Sequence, residues 1–382
     1  MENDTPNESL DALRNVVRFI LPVDAKVLIV SEGDREVYEL FRGRDQTAWH
    51  FPLTQRGIYA GPYPNDGHEL ISQLEAMRTR GAQFLLFPRR TIWWLDHYGD
   101  LRQHLERRYR LVLREPATCV VYALHALPDL AFRTQGAPDD LPLPPPEMLK
   151  VTVAHYNSRL FYDSGIAHST FISDVVAANG RGMDSFDAVL DFGCGCGRVI
   201  RHWRTLTQPA LFGTDYNPHL VRWCQDSLPF ASFQRNELQE PLHYQEAAFD
   251  FIYGISIFTH LEESQQSFWL DELKRVLRPG GLLLLTFHGE AMAGGMSSQE
   301  MERFRAGELV VRREELSGEN ACTTFHPEEY VRRTLAHGRS GLEVMDFIPG
   351  GSRGDAMKQD AFLFEKRLSK KFGRSRDTSA EA

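Results

Sequence analysis

A glycine-rich turn that follows an apolar strand constrains the fold of this chain more than any other feature. The segment 189–197 reads Val-Leu-Asp-Phe-Gly-Cys-Gly-Cys-Gly, with glycines at 193, 195 and 197. Glycine adopts backbone conformations that other residues avoid, and it lets a ligand approach the main chain closely. The pattern predicts a nucleotide-like ligand at the end of this strand, with a purely structural turn as the alternative.

Strand and helix patterns alternate along the chain from residue 185 onward. Predicted strands cover 188–192, 210–215, 232–236, 251–255 and 282–287, and predicted helices cover 199–205, 219–226 and 264–277. Such alternation is typical of a parallel sheet that is covered on both faces. Two later strands, 342–348 and 361–365, are separated by a glycine-rich segment and predict a terminal hairpin.

The residues around the glycine loop favour a cationic ligand over a dinucleotide. The dinucleotide pattern G-x-G-x-x-G fails, because Arg198 or Ile200 stands where the third glycine would be. The carboxylate of Asp191 suits a ligand with an ammonium and a sulfonium group better than one with a pyrophosphate. S-adenosylmethionine is such a ligand.

A second acid lies about 20 residues beyond the glycines, the distance at which a carboxylate can bind a ribose. It is Asp215, at the end of the predicted strand 210–215. We expect Asp215 to accept hydrogen bonds from both ribose hydroxyls. The alternative is a helix N-cap for the segment that begins near Pro218.

Two further segments follow in order, Phe249-Asp-Phe-Ile-Tyr-Gly254 and Leu277-Arg-Pro-Gly-Gly281. With them, the sequence from about His155 to Glu365 resembles class I S-adenosylmethionine-dependent methyltransferases. The resemblance rests on the glycine loop, the ribose acid, the fourth-strand segment and the L-(R/K)-P-G-G turn. It implies a Rossmann-like α/β domain with a mostly parallel seven-stranded sheet and a terminal antiparallel hairpin.

The resemblance also implies roles for individual residues in holding S-adenosylmethionine. The methionine side would lie at Asp191, Gly193, Gly195 and Gly197, the ribose at Asp215, the adenine at Asn236, Glu237 and Leu238, and Gly254 beneath the donor. The family often has an aspartate near 236, so this chain departs from the pattern there. The implied activity is O- or N-methylation of a small molecule or glycan intermediate. A donor-binding module without catalysis and a nucleotide-dependent oxidoreductase are the alternatives.

Histidines follow two of the predicted strands, where open α/β sheets place their ligands. His260 lies after the fourth strand and His288 after the fifth, and His326 is a weaker third candidate. Histidine titrates near neutral pH, so either of the first two could deprotonate a hydroxyl acceptor. Structural histidines or acceptor contacts are the alternatives.

The N-terminal part of the chain reads as a smaller α/β domain over residues 1–133. Predicted strands cover 26–31, 82–87, 110–114 and 117–124, and predicted helices cover 66–80 and 92–109. Around Trp49-His-Phe-Pro52 and Trp93-Trp-Leu-Asp-His-Tyr98 it resembles accessory domains of bacterial glycan-biosynthesis enzymes. Its role, whether structural, partner-docking or acceptor-binding, stays open.

The remaining predictions concern boundaries and surroundings. A proline-rich linker is expected at 134–149, the methyltransferase domain at 150–366 and a basic disordered tail at 367–382. The net charge of −9 argues against nucleic-acid binding, and no run approaches the roughly 18 apolar residues of a spanning helix. We therefore expect a cytoplasmic protein without membrane insertion. Its five scattered cysteines predict no disulfides and no metal site, and the oligomeric state stays open.

Overall fold

The computed structural model describes residues 6–42, 45–53, 64, 66–336, 341–352 and 357–367. The predicted basic tail at 367–382 lies outside these residues except for Arg367. The chain divides into two compact units: an N-terminal unit of Met1–Asp163 with Asn217–Trp223, and a C-terminal unit of Ser164–Tyr216 with Cys224–Ala382. No helix in the described ranges is both long and apolar enough to cross a membrane.

The N-terminal unit contains a five-stranded sheet in the order β2-β1-β3-β5-β4. β1 pairs in parallel with β2 and β3, and β5 pairs antiparallel with β3 and β4. Its elements are α1 (Pro6–Phe19), β1 (Lys26–Ile29), α2 (Arg35–Glu39), β2 (Thr47–His50), α3 (Gly67–Thr79), β3 (Phe84–Pro88), α4 (Trp94–His97), α5 (Gly99–Arg108), β4 (Arg110–Glu115), β5 (Cys119–Ala123), α6 (Leu130–Gln135) and α7 (Pro146–Val153).

The unit boundary lies later in the chain than the predicted linker 134–149. The proline-rich stretch lies within the N-terminal unit, where the guanidinium of Arg133 donates to the carbonyl of Pro144 at 2.7 Å. The residues after it are tied back as well, because the backbone N–H of Arg159 donates to Asp129 at 3.1 Å. α7 begins at Pro146, within this stretch, because a helix accepts proline in its first turn, and the whole stretch belongs to the N-terminal unit.

The C-terminal unit contains the mostly parallel seven-stranded sheet, in the order β13-β14-β10-β9-β6-β7-β8. β13 and β14 run antiparallel at one edge, as the hairpin prediction requires. The elements from α8 onward are α8 (Ser158–Ala178), β6 (Ala188–Phe192), β7 (Ala210–Asp215), α9 (Pro218–Ser227), β8 (Ser232–Arg235), β9 (Phe249–Gly254), α10 (Glu263–Val276), β10 (Leu277–Phe287), α11 (Ser298–Arg305), β11 (Val310–Arg312), β12 (Thr323–Phe325), α12 (Glu328–Tyr330), β13 (Leu342–Ile348) and β14 (Asp360–Lys366).

Two predicted elements of the C-terminal unit differ in detail. In place of the helix predicted over 199–205, the structure has a short 3₁₀ helix at Ile200–Trp203. Helical structure can begin only after the glycine loop, because Gly195 and Gly197 both have positive φ, which a right-handed helix does not accommodate. The predicted turn at 278–281 is a bulge at the start of β10, where the register against β9 shifts between Leu277 and Leu282.

The central strands β6 and β9 of this sheet are buried on both faces, as parallel strands with apolar runs require. β9 lies between β6 and β10, and its Phe251 is fully buried and stacks on Phe186 with ring centroids 4.8 Å apart. This packing holds the carboxyl ends of the central strands in place.

We expect Phe251→Ala to lower the free energy of unfolding by about 3–5 kcal/mol, because it leaves a cavity in the centre of the sheet. The matched control is Met345→Ala, on a side chain that is 46% exposed, which should change it by no more than about 0.5 kcal/mol. Urea unfolding followed by circular dichroism measures both. Equal effects of the two substitutions would contradict this description of the core.

Candidate active site

The glycine loop after β6 turns back on itself through three glycines in the left-handed region. The φ angles are 73° at Gly193, 55° at Gly195 and 73° at Gly197. A Cβ on Gly193 would lie 2.1 Å from Ile257 Cδ1, and one on Gly197 would lie 2.3 Å from Leu228 Cδ1. The backbone conformation therefore favours glycine at positions 193 and 197, and a side chain there would also have to displace Ile257 or Leu228.

Asp215 holds this loop from the neighbouring strand. It lies at the carboxyl end of β7 with 8% of its surface exposed, and its Oδ2 accepts a hydrogen bond from the backbone N–H of Gly195 at 2.9 Å. Each carboxylate oxygen can accept more than one hydrogen bond, so this bond leaves Asp215 able to accept from hydroxyl groups. The structure thus brings together the loop and the acid that the sequence analysis assigned to the ribose.

Asp191 is a second buried acid beside the loop. Only 4% of the residue is exposed, and Oδ2 has no hydrogen-bond partner among the described residues. Burial raises the pKa of Asp191 to about 7, although the Tyr253 hydroxyl and the charge of Arg198 act to lower it, and the charge of Asp215 adds to the rise. A ligand with a positive charge would supply what this oxygen lacks, so the residues present fit S-adenosylmethionine.

Arg198 is a site residue that the sequence analysis missed. Its Nη1 lies 2.7 Å from His168 Nδ1 and donates to the backbone oxygen of Ser164 at 3.3 Å, both on α8. Burial lowers the pKa of Arg198, and the charge of Asp191 counteracts that effect. The sequence showed only that an arginine stands in place of a third glycine, and the only available signal was its position next to the loop.

The three residues assigned to the adenine lie directly after β8, beside Asp215. The side chain of Asn236 is engaged within the protein, since Oδ1 accepts from Thr214 at 2.8 Å and Nδ2 donates to the carbonyl of Glu237 at 2.9 Å. The carboxylate of Glu237 is exposed and forms an ion pair with Arg235 at 3.0 Å. Leu238 is half-buried.

The carboxyl ends of β9 and β10 carry a polar network that the sequence did not reveal. β9 ends at the buried Gly254, and two residues later Ser256 has a φ of 62°. The backbone N–H of Ser256 donates to Thr286 Oγ1 at 2.8 Å, and both hydroxyls donate to Gln359 Oε1, at 3.0 and 2.6 Å. These bonds stabilise a backbone conformation that costs free energy in a residue other than glycine.

The structure brings His260 and His288 together, as their positions after two neighbouring strands predict. Their ring centroids are 6.2 Å apart and the rings are perpendicular, at 87°. His260 Nδ1 lies 2.7 Å from the carbonyl oxygen of Cys322. Because a carbonyl can only accept, Nδ1 carries the proton and Nε2 is the basic nitrogen.

His288 is held neutral by its surroundings. It is 9% exposed, and burial lowers its pKa to about 4, with the charge of His260 acting in the same direction. His326 lies behind it, 1% exposed, with Nε2 paired to Gln266 Oε1 at 3.1 Å and its backbone N–H donating to the His288 carbonyl at 2.8 Å. His326 therefore supports His288 structurally, and its burial keeps it out of reach of a methyl acceptor.

Comparison with known proteins bears on this site. Residues 189–281 match a protein family described as a methyltransferase domain. The chain is similar to an S-adenosylmethionine-dependent methyltransferase from Methanosarcina mazei, with 20% identity, 48% of this chain and 93% of that chain covered, and a TM-score of 0.37.

Two further solved structures show similarity of the same kind. An S-adenosylmethionine-dependent methyltransferase from Mesorhizobium loti has 15% identity, 50% of this chain and 96% of that chain covered, and a TM-score of 0.40. The glycopeptide N-methyltransferase MtfA, complexed with sinefungin, has 14% identity, 52% and 86% coverage, and a TM-score of 0.37. Residues 189–281, which contain the glycine loop, Asp215 and Gly254, are therefore the part of the chain that is similar to a methyltransferase domain.

Proposed function

We propose that this protein transfers a methyl group from S-adenosylmethionine to a hydroxyl or amine of a small molecule or glycan intermediate. The observation that carries the proposal is the buried Oδ2 of Asp191 beside the glycine loop, which accepts no hydrogen bond from the described part of the chain. Burying an ionised carboxylate in that position costs free energy unless a nearby cation compensates its charge. A donor that bears positive charge at both its amine and its sulfur meets this requirement.

The residues proposed to hold the donor all lie at the carboxyl ends of neighbouring strands. They are Asp191, Gly193, Gly195 and Gly197 on the methionine side, Asp215 at the ribose, Asn236, Glu237 and Leu238 near the adenine, and Gly254 beneath the donor. Because the Asn236 side chain is engaged by Thr214, the backbone of 236–238 is the better candidate for adenine contacts. When bound, the donor supplies a methyl group that its sulfonium already activates.

The protein's own contribution to the chemistry is to orient the acceptor and, for a hydroxyl, to take its proton. His260 is the better base of the two histidines, because its bond to the Cys322 carbonyl fixes the tautomer with Nε2 basic. His288, with a pKa of about 4, is suited to hydrogen bonding with the acceptor. An amine acceptor that reaches the site neutral would need no base.

We expect Asp215→Asn to weaken binding of S-adenosylmethionine and of its demethylated product by about 10–100-fold, since a charged acceptor of hydrogen bonds is lost. The amide oxygen can still accept from Gly195, so the loop should stay folded. Isothermal titration calorimetry measures the affinity, and Asp271→Asn, on an exposed acid of α10, is the control. Wild-type protein that binds NAD(P) and neither of these ligands would refute the proposed donor.

We expect the affinity for S-adenosylmethionine to fall by about tenfold per pH unit as the pH decreases below about 7. Below that pH, Asp191 is mostly protonated in the free protein and must lose its proton before it can pair with a cation. Tyr253, Arg198 and Asp215 are the neighbouring groups that influence its pKa. Calorimetry at pH 6 in buffers of different ionisation enthalpy should show release of about one proton. Asp191→Asn should remove this dependence, and Asp271→Asn should retain it. Wild-type binding without proton release would contradict the role of Asp191.

We expect His260→Gln to lower kcat on a hydroxyl acceptor by about 10²–10⁴-fold while leaving the affinity for the donor unchanged. Mass spectrometry of metabolites and glycans incubated with methyl-deuterated donor identifies the acceptor and measures turnover. His243→Ala, on an exposed histidine, is the matched control. Unchanged turnover of His260→Gln across pH would remove this residue from the mechanism. Donor binding without turnover on any acceptor would favour a donor-binding module instead.

A further inference from the structure

Asp360, the first residue of β14, is a buried acid at the same edge of the sheet as the candidate active site. It pairs with Phe287 at the carboxyl end of β10, directly before His288. Only 7% of the residue is exposed, and no cationic side chain in the described ranges forms an ion pair with it. Buried acids are normally paired, because an uncompensated charge in the interior costs free energy. Asp360 therefore lacks the cation that a buried carboxylate usually has.

Two glycines make room for the carboxylate of Asp360. A Cβ on Gly289 would lie 1.8 Å from Asp360 Oδ2, and one on Gly350 would lie 2.1 Å from the carbonyl oxygen of Lys358. The backbone N–H of Gly350 donates to Asp360 Oδ1 at 2.7 Å. The main chain thus fixes one carboxylate oxygen, and this bond orients the other.

The second oxygen, Oδ2, is available to a ligand. It accepts no hydrogen bond from the described residues, and it is not among the polar atoms that are both unpartnered and buried, so solvent reaches it. Burial raises the pKa of Asp360, the bond from Gly350 lowers it, and the negative charges of Glu328 and Glu290 raise it further. A cation at Oδ2 would stabilise the ionised carboxylate against both its burial and these two acids.

The residue before Asp360 fixes the start of β14 beside the ends of β9 and β10. Gln359 Oε1 accepts from Ser256 Oγ at 3.0 Å, just after β9, and from Thr286 Oγ1 at 2.6 Å, in β10. The sheet order is β14-β10-β9-β6-β7-β8, and the residues proposed to hold the donor lie at the ends of β6, β7, β8 and β9. The ends of β10 and β14 are therefore the part of this edge that is left for the methyl acceptor.

The polar atoms at this part of the edge are hydrogen-bond acceptors. The basic nitrogen of His260 is Nε2, and Asp360 Oδ2 belongs to a carboxylate. Glu290 is exposed and forms no ion pair with the described residues, so it adds a second uncompensated negative charge. An ammonium group has three N–H donors and no acceptor, whereas a carboxylate or phosphate would be repelled here.

We propose that the methyl acceptor carries a basic amine, which Asp360 binds through Oδ2 as an ammonium group. An ammonium has no electron pair with which to attack the methyl group, so it anchors the acceptor while a second nucleophile of the same molecule, such as a hydroxyl, reacts. This inference rests on the proposed methyl transfer and narrows its acceptor to molecules such as amino alcohols. Asp360 determines which acceptors bind, and His260 remains the group that takes a proton.

Saturation-transfer-difference NMR on the full chain with saturating S-adenosylmethionine tests this selectivity. Two probe series keep the molecular framework and change the charge: glucosamine, glucose and glucuronic acid, and tyramine, 4-ethylphenol and 4-hydroxyphenylacetic acid. We expect saturation transfer to the cationic member of at least one series to exceed that to the neutral member by at least about threefold, with the anion lowest. The preference should disappear in Asp360→Asn, whose amide oxygen can still accept from Gly350.

Asp271→Asn, on a side chain of α10 that is 76% exposed, is the matched control and should retain the preference. Affinity for S-adenosylmethionine should be unchanged in both variants, which shows that they are folded. The absence of a cation preference in both series, in wild-type protein that binds S-adenosylmethionine, would overturn the proposal. A preference that persists in Asp360→Asn would overturn it as well, because the ammonium would then bind elsewhere. Wild-type protein that fails to bind S-adenosylmethionine would instead refute the proposed donor, and this inference with it.

Discussion

The hydrogen bond between Asp215 and the backbone N–H of Gly195 is the interaction on which the candidate active site depends. It joins the glycine loop after β6 to the end of β7, and it needs Gly195 in a left-handed conformation with its N–H aimed at the acid. The neighbouring N–H groups of Gly193 and Cys194 donate to the Thr214 carbonyl at 2.8 and 2.9 Å. Three bonds therefore fix the loop to β7, and the loop in turn fixes where a ligand can approach the main chain.

The same arrangement places two carboxylates close together in a buried environment. The pKa of Asp191 is raised as a result, because burial and the charge of Asp215 both act in that direction. Arg198 offsets part of this cost, and its own guanidinium is held by Ser164 and His168 on α8. The carboxylates of Asp191 and Asp215 attract a cationic ligand, whereas they would repel an anionic pyrophosphate.

The sequence predicted the elements whose signal is local. Strands such as β6 and β9 are short apolar runs, and Asp215 at the end of β7 follows the glycine loop at a recognisable spacing. The helix expected over 199–205 was wrong in extent because Gly197 has a φ of 73°, which its residue type permits but does not dictate. β2 was missed because its four residues mix exposed and buried positions. Arg198 and the Ser256–Thr286–Gln359 network depend on tertiary contacts, which no local pattern encodes.

The histidines show why position along the chain is not enough to assign a role. His260, His288 and His326 all stand near strand ends, and the sequence treats them almost alike. Their hydrogen bonds separate them: the Cys322 carbonyl leaves His260 with a basic Nε2, whereas Gln266 and complete burial make His326 part of the core. Because burial lowers the pKa of each, all three are neutral at neutral pH. The hydrogen-bond partner of each ring nitrogen therefore distinguishes a histidine that can act as a base from one that only supports the structure.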